Sequence, residues 1–366
     1  MIGWPVALAW AQGSVRSTMR RPPVESRESG GGESEMSRAR FIVGTGRCGS
    51  TLLGMLLAGN PGVLNLSEFF SAIQPGALSR RTVGGRDFWA LLSTPREAWT
   101  DALERRSEPL EFRYPIDQPG MRFTRQSGVP PIACVCLPTI TDDPDGLYSE
   151  LERVVPAFSE CPIGTQYRRI FEWLSDRLAK RVWIERSGGS LAYARELSDH
   201  FANAKFLHVY RSGPETAISM SRHLFFVSQV TRSRSSLPHG SRVGAPDVPG
   251  SADDTWVGHH RLDIPSVARF GLRWSAMILM GTTALSKLPR ENVKHLSFEQ
   301  LIADPEAHLR RATAFFDLPP PQAEVLECAR SLIVPPRPRR LGLDPSERER
   351  LEHACAAGEV QLRAIT

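Results

Sequence analysis

The chain has 366 residues, 41% of them hydrophobic, with a formal net charge of +5 and a pI near 9.0. That length buries a substantial core, as one large α/β domain or a domain carrying insertions. The positive balance suits an anionic ligand. The absence of lysine-rich runs and aromatic-basic interleaving argues against nucleic acid, and no apolar run approaches the roughly 18 residues of a membrane span.

Six cysteines (Cys48, Cys134, Cys136, Cys161, Cys328 and Cys355) are scattered without CxxC spacing. This pattern fits a reduced, cytoplasmic chain without structural zinc. The opening MIGWPVALAWAQG resembles a short signal segment, but no basic residue precedes it. The following stretch, to about Arg38, is rich in Ser, Gly, Glu and Arg and reads as disordered. Met36 stands just before the first apolar segment. Residues 1–36 are therefore expected to be a disordered extension, with 1–35 an upstream start, and 37–366 a single domain.

Four short apolar segments read as parallel strands, each leading into a helical pattern. Arg40–Val43 precedes a helix over Thr51–Ala58, and Arg181–Glu185 precedes one over Leu191–Ala202, where Leu191, Ala194, Leu197 and Phe201 recur at helical spacing. Lys205–Tyr210 leads into a helix near Pro214, a residue favoured at the first helical position. Val293–Phe298 leads, with Asp304 as N-cap and Pro305 at N1, into a helix through Phe316. A possible helix covers Phe88–Arg105, and a long apolar helix covers roughly Ser266–Leu288. Such alternation predicts a three-layer α/β fold of the kind seen in P-loop NTPases, with a central parallel sheet covered by helices on both faces. Ligands then sit at the carboxyl ends of the strands, where Arg47, Arg186 and Arg211 fall. The irregular segments 75–135 and 231–263 are too long for neutral connections and are expected to form a lid or acceptor-binding surface.

Residues 41–51, FIVGTGRCGST, form a strand, a glycine-rich turn and a helix start. Gly44 and Gly49 hold the spacing of a phosphate-binding loop, but Ser50 stands where the nucleotide-triphosphate loop carries lysine, and Thr51 follows. Backbone N–H groups at the helix N-terminus can still cradle a phosphate, and Arg47 supplies the cation. Residues 206–223, FLHVYRSGPETAISMSRH, deliver Arg211 to a strand end with Ser219 eight residues later. A guanidinium and a helix hydroxyl grip one phosphate dianion well. Two separate grips on neighbouring strand ends suit a nucleotide phosphorylated at both its 5′ and 3′ positions.

GTGRCGST followed by NPGVLNLSE, and VYRSGPETAIS, resemble the two signature regions of sulfotransferases that use 3′-phosphoadenosine-5′-phosphosulfate. HLSFEQLIADPEAHLRRATAFFDLP (295–319) resembles that family's C-terminal region, and the three islands span about 280 residues in the family's order. The resemblance implies sulfuryl transfer without a metal. It places Arg47, Cys48, Gly49, Ser50 and Thr51 on the 5′-phosphosulfate, and Arg211 and Ser219 on the 3′-phosphate. Glu68 falls where the tyrosylprotein and bacterial branches place the catalytic base, which takes the proton as the acceptor hydroxyl attacks sulfur. Arg47 and Arg186 are the candidates for stabilising the leaving oxygen.

Two departures stand out. WIERSGG (183–189) has Arg186 where relatives commonly carry lysine, a fork rather than a point charge, and Ser297-Phe298 replaces a usual tyrosine. A histidine base is the rival to Glu68, as in the small-molecule branch. His223 follows the phosphate helix too closely to be preferred, and His259 and His260 lie in the expected lid. In relatives a tail comparable to PPRPRRLGLDPSERERLEHA lies beside the active site, which brings Arg339 and Arg340 into view. The competing readings are a P-loop kinase or NTPase and a catalytically silent nucleotide-binding module. The acceptor stays open among small-molecule hydroxyls, glycans, lipids and peptide tyrosine.

Overall fold

The computed structural model describes residues 38–73, 77–79, 81–109, 111–232, 265–332 and 338–365. The N-terminal extension, His259, His260 and nearly all of the 231–263 segment lie outside the described residues.

The centre is a five-stranded sheet in the order β2-β5-β1-β6-β7, every neighbouring pair parallel. The strands are β1 (Arg40–Val43), β2 (Val63–Ser67), β5 (Val182–Arg186), β6 (Lys205–Tyr210) and β7 (Val293–Ser297). A small antiparallel pair, β3 (Thr82–Val83) with β4 (Cys161–Pro162), stands apart. β1 matches its expected span. β7 stops one residue early, because the Ser297 hydroxyl accepts from Gln300 N and starts a helix at Phe298. β2 was not anticipated as a strand; VLNLS is short, follows Asn-Pro-Gly and sits at the sheet edge.

Alternate residues feed two separate apolar layers, as a sheet covered on both faces requires. Phe41, Val43, Trp183 and Phe206 belong to one core, and Ile42, Ile184, Leu207 and Val209 to the other. The first is rich in aromatics: the Phe41 ring lies 5.0 Å from Phe201, 5.3 Å from Phe206 and 5.9 Å from Trp183, centroid to centroid. Helices Ile163–Arg177, Ala194–His200 and Val267–Leu285 contribute to this layer, and Ser50–Ala58 and Pro305–Phe315 to the other.

The expected Phe88–Arg105 helix is two helices, Gly85–Ser93 and Glu97–Glu104. Pro95 lies between them and cannot continue the first. The Leu191–Ala202 pattern begins as a 3₁₀ turn, Ser190–Tyr193, and only Ala194–His200 is α-helical. Asp304 caps its helix as expected, its carboxylate accepting from Ala307 N at 3.0 Å. The Val267–Leu285 helix buries Trp274 and packs alongside Pro345–Ile365. No described helix is long and apolar enough to cross a membrane.

Candidate functional site

The turn after β1 is built by backbone conformation. Gly46, Arg47 and Gly49 take φ values of 78°, 56° and 91°, which curls the loop so that successive amides face one side. A Cβ on Gly44 would approach Val209 O to 2.8 Å, and one on Gly49 would enter the Phe298 ring; neither position admits a side chain. The Ser50–Ala58 helix follows at once, its first return bond running from Leu53 N to Gly49 O at 3.2 Å. The amides of Ser50, Thr51 and Leu52 therefore have no intrahelical acceptor, and the positive end of the dipole faces the turn. The Cys48 side chain points the other way, wholly buried in the core with Leu53 and Val209, and burial pushes its thiol pKa up. The Cys48 side chain, expected among the ligand contacts, is therefore turned away from them.

A cavity of about 470 Å³ opens over this turn and includes Arg47, Glu68, Arg186, Arg211 and Ser219 in its walls. The structure thus brings together the side chains singled out from four strand ends. Arg47 Nε donates to Ser219 Oγ at 3.1 Å, so the two expected phosphate grips touch. Arg47 also donates to Glu111 Oε1 at 3.3 Å, and Glu111 is bound again by His223 Nε2 at 2.9 and 3.0 Å. Burial opposes ionisation of Glu111. The His223 hydrogen bond and the charges of His223 and Arg47 outweigh it and take the carboxyl down to about 2.

Arg211 leaves the end of β6 and lies over the Phe298 ring, 5.0 Å from its centroid. Burial pushes its guanidinium pKa down, while Glu215 and Glu299 act the other way. The Glu215 carboxylate accepts from Arg339 N at 3.0 Å and Arg340 N at 3.1 Å, which holds the C-terminal arm against the Gly213–Ser221 helix. Arg339 reaches the cavity wall.

At the end of β2, Glu68 sits in left-handed backbone (φ 55°) and is 8% exposed. Its carboxylate pairs with Arg186 Nη1, accepts from Gly188 N at 2.8 Å and accepts from the Ser71 hydroxyl. Arg186, 3% exposed, also donates to Ser67 Oγ at 3.1 Å. Its buried Nε has no hydrogen-bond partner among the described residues. Beneath the pair, burial pushes the Glu185 carboxyl up to about 8, against the opposing hydrogen bonds of Ser187 and the Phe70 amide.

Several wall residues carry no sequence signal. Glu111 and Arg113 come from EFR inside a Pro-rich stretch without periodicity, and Lys180 from the turn before β5. His223, set aside in the sequence for its closeness to the phosphate helix, lines the cavity through its bond to Glu111. Among the described residues no cluster of three His, Cys, Asp or Glu side chains is placed to hold a metal ion.

No family profile and no curated sequence matches the chain. Solved structures do. The sulfotransferase domain of the Synechococcus PCC 7002 olefin synthase is 18% identical, covering 94% of this chain and 98% of its own at a TM-score of 0.43. The sulfotransferase domain from the curacin biosynthetic pathway is 14% identical over 87% and 98%, with a TM-score of 0.42. A sulfotransferase from Alicyclobacillus acidocaldarius is 16% identical over 90% and 95%, with a TM-score of 0.39.

Proposed function

We propose that this chain moves a sulfuryl group from 3′-phosphoadenosine-5′-phosphosulfate to a hydroxyl acceptor by in-line transfer, with Glu68 as the general base. The observation that carries the reading is the Arg47–Ser219 contact at 3.1 Å. It sets two anion grips from different strand ends side by side in one cavity, where a single ligand carrying two phosphates can reach both. The turn amides and Arg47 hold the 5′-phosphosulfate, while Arg211 and Ser219 hold the 3′-phosphate with Arg339 beside them.

The acceptor oxygen forms the new S–O bond as the bond from sulfur to the 5′-phosphate oxygen breaks. Glu68 takes the hydroxyl proton, and adenosine 3′,5′-bisphosphate leaves with the bonding pair. Charge builds on the departing oxygen, where Arg47 stabilises it. Arg186 is a second guanidinium in the same cavity wall. Arg186 also fixes the direction of the Glu68 carboxylate.

Calorimetric titration with adenosine 3′,5′-bisphosphate, AMP and ATP tests this. Binding of the bisphosphate at about micromolar Kd, some 8 kcal/mol, with AMP at least about tenfold weaker, is expected if both grips act. A preference for ATP, or no binding, overturns the reading.

A further inference from the structure

The cavity is not confined to the carboxyl ends of the strands. From Glu68 it continues down the outer edge of the sheet as a groove. Its floor is the edge strand β2, which contributes Val63, Leu64, Asn65 and Ser67. One wall is Thr51, Met55 and Ala58, spaced four and three apart along a single flank of the Ser50–Ala58 helix. Residues 138–142 form the other wall, at the end of the Cys136–Ile140 helix, which packs beside β2. Lys180, which donates to Pro61 O at 2.9 Å just before β2, stands at the far mouth.

The helix runs back against the direction of β2, so both walls start at the reacting end and finish together. Four strand rises from Ser67 to Val63 span about 13 Å, and seven helix rises from Thr51 to Ala58 about 10 Å. Arg211, by contrast, extends from β6, on the other side of β1 from β2. The 3′-phosphate grip and the groove therefore lie on opposite sides of Arg47.

We infer that this edge groove is the acceptor site, and that the acceptor is an elongated hydroxyl compound whose chain, apolar and about 10–13 Å long, lies along β2. The inference rests on the transfer reading above. Wall chemistry supports the class: Met55, Ala58, Val63, Pro138 and Ile140 give the groove an apolar lining, which Asn65 interrupts on the floor. The reacting end is equipped as well. Ser67 Oγ accepts from Asn65 Nδ2 at 3.3 Å and from Arg186 at 3.1 Å. With both lone pairs engaged, its own O–H is left to donate, beside Glu68. An acceptor hydroxyl there receives a hydrogen bond from Ser67 while Glu68 takes its proton.

Straight-chain primary alcohols from butanol to decanol are the probe, titrated calorimetrically into the full chain with and without saturating adenosine 3′,5′-bisphosphate. Affinity is expected to rise about fourfold per added methylene until the groove is full. Met55→Trp and Ala58→Phe should each cut the rise short while leaving bisphosphate affinity within about twofold. Absence of a chain-length trend overturns the inference. So does a trend that survives both groove variants but is lost in Trp99→Ala, a cavity-lining residue outside the groove walls, which would move the chain out of the groove. Loss of bisphosphate binding alone overturns the donor reading, and the alcohol series still decides the groove.

Discussion

With Arg186, the Gly188 amide and the Ser71 hydroxyl all on the Glu68 carboxylate, its orientation is set before any acceptor arrives. Glutamine keeps that shape and removes the proton acceptor. Glu68→Gln should bind adenosine 3′,5′-bisphosphate within about twofold of wild type and lower single-turnover sulfuryl transfer by roughly 10²–10⁴; undiminished transfer would move the base elsewhere, with His223 next in reach. Glu185, directly beneath, carries a pH signature. Its carboxyl rises from 4.5 to about 8 on folding, chiefly through burial. Below pH 4.5 it is neutral in folded and unfolded chains alike and costs nothing. Between 4.5 and 8 only the unfolded chain ionises freely, so stability falls as pH rises, and above 8 the loss is complete. Glu185→Gln removes this slope. Its advantage in Tm over wild type should widen between pH 5 and pH 8; parallel curves would show that Glu185 does not titrate in that window.

At the scale of elements, two glycines let the helix pair behind β6 come together. A Cβ on Gly358 would lie 2.5 Å from the Trp274 ring, and one on Gly213 equally close to the same ring. Gly213 N in turn donates to Glu359 at 2.7 Å, which ties the C-terminal helix to the start of the Gly213–Ser221 helix. Gly358→Val should therefore destabilise the fold by about 1–3 kcal/mol through overpacking, read from denaturant unfolding. A neutral substitution would mean that Trp274 can rotate away. Strands and helices with strong patterns were legible in the residues: β1, β6 and the capped Pro305–Phe315 helix lie where periodicity and capping put them. β2 was not, because an edge strand of five residues after Asn-Pro-Gly offers no run long enough to separate strand from turn. The Phe88–Arg105 pattern misled because periodicity continued across Pro95, where the backbone cannot.

Across the whole molecule, side chains from positions 47 to 339 converge on one cavity, which explains what the sequence could and could not disclose about the site. Arg47, Arg211 and Ser219 were legible because each follows a strand at a spacing with a phosphate-binding reason. Glu111, Arg113 and Lys180 reach the cavity from turns and irregular stretches, and only the packing of distant segments puts them there. The arm bearing Arg339 is held the same way, by two backbone amides on Glu215. Glu215→Ala should release it, raising the rate of tryptic cleavage at Arg339 and Arg340 by about thirtyfold, as expected when two hydrogen bonds of about 1 kcal/mol each are lost. Unchanged cleavage would place the restraint elsewhere in the arm.

The bond between Gly213 and Glu359 also bears on how the protein is made. The amide opens the Gly213–Ser221 helix, and its acceptor is made almost 150 residues later in synthesis. A nascent chain can build the sheet and the glycine-rich turn while still on the ribosome. The first amide of the Gly213–Ser221 helix does not gain this acceptor until residue 359 has cleared the exit tunnel. A premature stop between Arg340 and Glu359 would thus yield a product with every cavity-lining side chain present and that amide without its acceptor.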